Sequence, residues 1–284
     1  MAKIISVLSG KGGVGKTLIT GAIGIKLARD GKRVLLIDGD MGLRNLDLIF
    51  GIENDCFYNI WDLAQGRCFA GDAVINIDKN IDFLAAAQSE TWEDIFPAAI
   101  DTVIEDIGHQ YDYILLDCPA GLGNGITFAA NISELAIIIV AASWASKRSA
   151  EKIYSFLPSK LSSFMVLNQF SEHDNTQISF STMMKTVDEE LFGGVIPYSM
   201  EADRLGHKGH LQDYEKSGAF GEALTCVINT VLHNREYPMT KWESILHLAN
   251  KENKLPKEKS LNSYKDRKDM WDNRRMAYKW RRRR

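Results

Sequence analysis

Eight consecutive residues, Gly10-Lys11-Gly12-Gly13-Val14-Gly15-Lys16-Thr17, restrict the folding of this chain more than any other stretch. They follow the apolar run Ile4-Ile5-Ser6-Val7-Leu8 and precede a segment of helical character, Leu18 to Arg29. A strand, a glycine-rich turn and a helix start in that order form a P-loop, whose backbone N–H groups close around a pyrophosphate. Lys16 is placed to reach the β- and γ-phosphates, and the Thr17 hydroxyl suits Mg²⁺. Gly10 to Thr17 is therefore the expected nucleotide-binding set. Lys11 adds a second cation inside the loop. A lysine taken out of water needs an anion to offset its desolvation, so Lys11 asks for a phosphate contact of its own.

Two more strand ends bring carboxylates to the same chemistry. The run Val34-Leu35-Leu36-Ile37 ends in Asp38-Gly39-Asp40, followed by Gly42-Leu43-Arg44-Asn45-Leu46-Asp47. Carboxylates at this spacing can serve a Mg²⁺-bound nucleotide, one through metal-bound water and the other by orienting the attacking water. Tyr113-Ile114-Leu115-Leu116-Asp117 is an apolar strand ending in aspartate, a Walker B pattern that places Asp117 to hold Mg²⁺ through water. The Pro119-Ala120-Gly121 turn after it is short and mobile enough to respond to a γ-phosphate.

Lys11, the Asp38-Gly39-Asp40 turn with its Gly-Leu-Arg-Asn-Leu-Asp continuation, and Asp117-Cys118-Pro119-Ala120-Gly121 resemble the deviant Walker A ATPases of the ParA/MinD family, and its MinD branch in particular. The resemblance covers about residues 1 to 250. It implies ATP and Mg²⁺ as cofactors and an ATP-dependent homodimer in which Lys11 reaches the partner's nucleotide. It further implies that Asp40 is the catalytic aspartate, that Asn45 is a switch residue near the attacking water, and that Asp38 belongs with Thr17 and Asp117 to the magnesium shell. Asn168, at the end of Val166-Leu167-Asn168, matches an asparagine that hydrogen-bonds the adenine, and Gly194-Val195-Ile196-Pro197 resembles the strand and proline flanking the base. On residue type alone, Asn168 is equally a strand-end turn residue. The chain departs from the family pattern at Gly123, where an acidic residue is common, at Gln169, where arginine is common, and at Ala141-Ala142-Ser143-Trp144, where the loop is usually acidic and contains proline.

The activity implied by the resemblance is ATP hydrolysis coupled to reversible membrane attachment and to placement of the division septum, with MinC and a MinE-like activator as partners. Two other roles in the family are the alternatives. A ParA-like protein positioning DNA or cargo needs basic residues across its body, and an FlhG-like regulator of flagellar number usually has an N-terminal extension for which Met1 leaves no room. No sequence-specific nucleic-acid partner is expected.

Apolar, β-branched runs recur at residues 3–9, 33–38, 81–84, 113–117, 134–141, 161–168 and 193–197, separated by helical stretches. Short continuous runs of this kind suit strands covered on both faces. The expected fold is α/β: a doubly wound, mostly parallel sheet with helices on both faces. Between the motifs, a short helix is expected at Tyr58 to Leu63, an amphipathic helix at Trp92 to Ile107, and a closing helix over Phe220 to Ala249. The domain plan is an ATPase domain over 1–250, a polar linker over 251–260 and a basic, aromatic tail over 261–284.

Charge separates body from tail. The chain has a net charge of −3, yet from Lys251 onward fourteen Lys/Arg stand against five Asp/Glu, so the residues before it are strongly acidic. That asymmetry points to a tail meeting an anionic surface. Tyr264, Trp271 and Tyr278 recur every seven residues beside Arg267, Arg274, Arg275 and Arg282, which suits a lipid headgroup interface, although Met276 and Trp280 fall off the stripe. A nucleic-acid or protein contact and a solvated charged end are the competing readings of the tail. Four scattered cysteines without a Cys-x-x-Cys pair suggest a reducing compartment and count against the iron–sulfur carriers that share this P-loop. With no apolar run near the roughly 18–20 residues of a spanning helix, the expected location is cytoplasmic, with peripheral association to the inner face of the cell membrane.

Overall fold

The computed structural model describes residues 2–92, 94 and 97–253. In chain order the elements are β1 (Lys3–Ser9), α1 (Lys16–Arg29), β2 (Val34–Asp38), α2 (Ile60–Ala64), α3 (Ala70–Ala73), β3 (Val74–Asp78), β4 (Ile81–Leu84), α4 (Pro97–Gly108) and β5 (Tyr113–Ala120). They continue as α5 (Asn124–Ile132), β6 (Leu135–Ala141), α6 (Trp144–Phe156), β7 (Ser162–Phe170), α7 (Phe180–Met184), β8 (Phe192–Pro197), α8 (Met200–His207), α9 (Ala219–His233) and α10 (Met239–Glu252). The chain divides at Asn250: Met1–Asn250 is one unit and Lys251–Arg284 the other. The expected linker beyond residue 253 and the tail at 261–284 lie outside the described residues. Among the described residues, no helix is long and apolar enough to cross a membrane.

The eight strands form one sheet in the order β3-β4-β2-β5-β1-β6-β7-β8, parallel throughout except for the β3–β4 pair. Every residue of β2 is buried, as are six of the seven in β6, which explains why these strands are continuous apolar runs instead of alternating ones. The register places Asp38 opposite Asp117 and Ala141 opposite Asn168, so strand carboxyl ends share one edge. Strand order reverses about β1, the point where an open α/β sheet leaves a crevice for ligands.

Four segments differ from the sequence expectations, each for a local reason. Strand β5 does not end at Asp117 but runs on to Ala120, in register with Ser9, so the turn expected at Pro119–Gly121 starts only at Gly121, whose N–H donates to the Ser9 carbonyl at 2.9 Å. Strand β3 has no counterpart among the apolar runs because it is a half-exposed edge strand containing Asn76 and Asp78, and it needs only the β4 side to pair. The helix expected from Trp92 starts only at Pro97, a residue suited to the first helical turn. Ahead of it, the backbone N–H and hydroxyl of Thr91 both donate to Asp94, which closes a turn around Trp92. The closing helix is two helices, because Asn234 takes a left-handed conformation (φ 51°) that ends α9, and Pro238 precedes α10.

Helix α10 buries Trp242, Ile245, Leu246 and Ala249, the spacing of one helical face. Trp242 meets Phe192 of β8 edge-on at 5.8 Å, over Gly194. Gly194 has φ +131°, and a Cβ there would stand 2.6 Å from Trp242 Cη2 and 2.8 Å from Val227 Cγ2. Gly194→Ala is therefore expected to lose about 2–4 kcal/mol in urea unfolding, from backbone strain and overpacking together. Gly66→Ala, also at positive φ but with open space around it, should lose only about 1 kcal/mol. Equal losses in the two variants would show that the Trp242 contact is not the constraint.

Candidate functional site

The loop between β1 and α1 is shaped by close approach on both flanks. A Cβ on Gly10 would lie 2.6 Å from the backbone of Ser149 in α6. One on Gly15, at φ +83°, would lie 2.5 Å from the Asn168 side-chain nitrogen. Only glycine fits either place. Val14 is buried between them, whereas Lys11, Gly12 and Gly13 are exposed, with open space where side chains at both glycines would stand. Thr17 is half-buried in the first turn of α1.

Lys16 is buried, and its Nζ lies 2.7 Å from Asp117 Oδ1. Burial alone would lower the ammonium's pKa, but the charge and hydrogen bond of Asp117 outweigh it and hold the pKa above the usual lysine value. Thr20, one turn further along α1, donates its hydroxyl to the same Oδ1 at 3.0 Å. Asp117 Oδ2 is buried without a hydrogen-bond partner. A buried carboxylate oxygen without a partner is costly, so this one has unused capacity for a cation. With Lys16 beside it and open space over Gly12 and Gly13, the donor set fits a Mg²⁺-bound nucleoside triphosphate.

Asp38 is fully buried and holds the following turn from inside. Its Oδ1 accepts the Asp40 N–H at 2.9 Å, and its Oδ2 accepts those of Asn45 and Leu46 at 3.0 Å each. Burial first and the neighbouring Asp117 second push its pKa up to about 7, against the pull of the backbone donors and Lys16. Asp40 is half-buried; burial raises its pKa, Lys16 opposes the rise and Asp117 adds to it. Asn45 has an exposed side chain, and its tie to the site is its backbone N–H.

Sequence reasoning passed over four residues that build the site. Arg44, buried and at φ 42°, pairs with buried Asp47 and donates to the Glu53 carbonyl at 3.1 Å, clamping the turn from its far side. Their (i, i+3) charge pairing inside the motif was the available signal. Thr20 offered the signal of a hydroxyl one turn beyond the P-loop, and Trp92 offered none in sequence. On the other flank, Asn168 is buried at the end of β7 and donates to the Val14 carbonyl at 2.8 Å. The structure thus brings Asn168 onto the P-loop. Pro197 is buried at the end of β8, in register with Phe170.

The Asp38 shift gives a pH dependence with a definite sign. The folded carboxyl holds its proton up to about pH 7, while the unfolded chain releases it near the ordinary value of 3.8. Folding therefore takes up a proton between these values, and stability from this group falls as pH rises through that window. In urea unfolding with EDTA and no nucleotide, Asp38→Asn should flatten the decline between pH 5 and 7 by up to roughly 1 kcal/mol per pH unit. An unchanged slope would mean that Asp38 ionises normally.

A family model described as an AAA domain matches residues 2–159. A putative septum site-determining protein MinD from Emiliania huxleyi is 33% identical over 218 residues, 74% of this chain and 79% of that protein. Against several other curated MinD proteins the match spans about 60% of their length. Among solved structures, the MinC:MinD cell division complex of Aquifex aeolicus aligns with a TM-score of 0.72 at 30% identity, covering 84% of this chain and 98% of that one. MinD from Pyrococcus horikoshii complexed with Mg-ADP aligns at 0.71 and 27% identity, covering 82% and 96%. The chain belongs to the MinD branch of the ParA/MinD family of deviant Walker A ATPases.

Proposed function

We propose that this chain is an ATP-dependent dimerising ATPase that attaches reversibly to the inner face of the cell membrane and takes part in placing the division septum. The observation that supports it most is the Lys16–Asp117 pair, with the unpartnered Asp117 Oδ2 beside it, at the strand edge that also bears Asp38 and Asp40. A phosphate that draws Lys16 away leaves Asp117 as an uncompensated buried anion. Nucleotide and cation therefore favour one another's binding, as a Mg·ATP site requires.

Mg·ATP supplies the phosphoanhydride to be cleaved and the charge that neutralises it. The P-loop N–H groups and Lys16 bind the phosphates, while Thr17 and Asp117 hold the cation, with Asp38 supporting that shell through its grip on the Asp40–Leu46 turn. Asp40 orients the attacking water and accepts its proton, a role to which a raised pKa is suited. Asn45 sits beside that water, and Asn168 and Pro197 border the base. Exposed Lys11 is free to extend from one protomer to the nucleotide of the other, which makes dimerisation depend on ATP.

The tail turns that dimer into a membrane switch. One short basic segment binds an anionic bilayer weakly, whereas two held together bind through effective concentration. Hydrolysis separates the protomers and releases them. The division-site role rests on the septum site-determining relatives, and the Aquifex complex supports MinC as a partner. A MinE-like activator would stimulate hydrolysis.

Two experiments test this reading. Lys16→Ala should abolish ATP binding, while Lys11→Ala should bind ATP as a monomer within about three-fold of wild type yet form no ATP dimer by light scattering. A normal ATP dimer in Lys11→Ala would remove the trans role. In co-sedimentation with anionic liposomes, ATP but not ADP should bring down the full chain, and a truncation ending at Lys259 should stay in the supernatant. ATP-driven binding to DNA instead would replace the membrane role with a ParA-like one.

A further inference from the structure

The peptide group joining Gly39 to Asp40 is held on both sides. Its N–H donates to Asp38 Oδ1 at 2.9 Å, and its carbonyl accepts the Trp92 indole Nε1–H at 2.8 Å. Because a peptide unit is planar, two hydrogen bonds on opposite edges fix its rotation and hence the direction in which Asp40 leaves the main chain. One partner, Asp38, belongs to the same strand. The other, Trp92, comes from the loop ahead of α4, distant in sequence from all three nucleotide motifs.

Trp92 also stands beside the second acidic strand end. The place where a side chain at Gly125 would start lies 2.5 Å from Trp92 Nε1 and 2.8 Å from Pro119 Cγ, so the indole and the Pro119 ring both close over Gly125 and leave no space for a Cβ between them. The indole packs at 4.9 Å, tilted by 33°, against Phe128 of α5, the helix that follows the Gly121–Gly123 loop. Trp92 and Phe128 pack here against Ile37, Met41, Ile60 and Ile100 around a small apolar cavity. The two acidic strand ends are joined directly by one further bond in this region, Gly39 N–H to the Asp117 carbonyl at 2.8 Å.

We propose that Trp92 is a positioning residue that links the Gly39–Asp40 peptide to the end of β5 at Pro119 and the Gly121–Gly123 loop after it, so that the placement of Asp40 follows movement of that loop. Displacing Pro119 or α5 moves the indole, and the indole moves the Gly39 carbonyl that it holds. The inference rests on the reading of Asp40 as the residue that orients water.

Amide hydrogen exchange on the full chain tests the link, in Mg·ADP and in Mg with a non-hydrolysable ATP analogue, alongside steady-state ATP hydrolysis. In wild type, protection over residues 39–46 and over 119–123 should change together between the two nucleotides. In Trp92→Phe, which keeps a ring on Phe128 but loses the N–H donor, 119–123 should still respond and 39–46 should not. In the same variant kcat should fall at least ten-fold, with KM within three-fold of wild type. Gly125→Ala keeps the Trp92 side chain intact but displaces its indole from the Gly39 carbonyl, and should give the same separation of the two segments. Both segments responding in either folded variant, or an unchanged kcat, would overturn the proposal. If neither segment responds in wild type, the nucleotide-switch reading itself fails and the link fails with it.

Discussion

The site depends on a buried ion pair in a place where charge is expensive. Lys16 and Asp117 come from strand–loop–helix and strand ends a hundred residues apart, and each is tolerable at the carboxyl edge of the sheet only because the other is 2.7 Å away. Thr20 braces the shared oxygen, and the second oxygen of Asp117 is left without a partner. The sheet supplies the rigidity that makes this arrangement specific. Asp117 lies opposite Asp38 in register, so the first acidic strand end cannot shift without disturbing the second.

Around that pair, backbone donors do more than side chains to define the turns. Asp38 gathers three N–H groups from Asp40, Asn45 and Leu46, converting the Asp40–Leu46 segment into a fixed curve. Arg44 and Asp47 close the same curve from the opposite side, both buried. A carboxylate used in this way is a scaffold as well as a charge. Its raised pKa reflects first the cost of burying it and second the neighbouring Asp117. The P-loop is held by the same logic, with Ser149 against Gly10 and Asn168 bonded to the Val14 carbonyl.

Much of this was legible from residue order. The P-loop, Asp38-Gly39-Asp40 and Asp117-Cys118-Pro119 each combine an apolar strand with a chemically loaded end, and local pattern is enough to read such units because strand, turn and helix start are contiguous. Less was legible where an element depends on distant partners. Strand β3 is defined by β4 and not by its own half-polar sequence, and the break at Asn234 is a conformational choice that helical periodicity does not register. The stretch from Trp92 read as the start of a helix because its apolar spacing is helical, but the indole is recruited by the Gly39 carbonyl and the helix waits for Pro97.

The sequence by itself determined the class of ligand, the strand ends that meet it and the alternation of elements that makes a parallel sheet, since all of these follow from neighbouring residues and their hydrogen-bonding and burial needs. Only the tertiary structure decided which carboxylate pairs with Lys16, that Asp38 holds a turn through three amides, that Asn168 packs on the P-loop and that Trp92 reaches Gly39. The reason is physical: these contacts join residues 101, 8, 154 and 53 positions apart, and their geometry is set by sheet order and register, which no local pattern encodes.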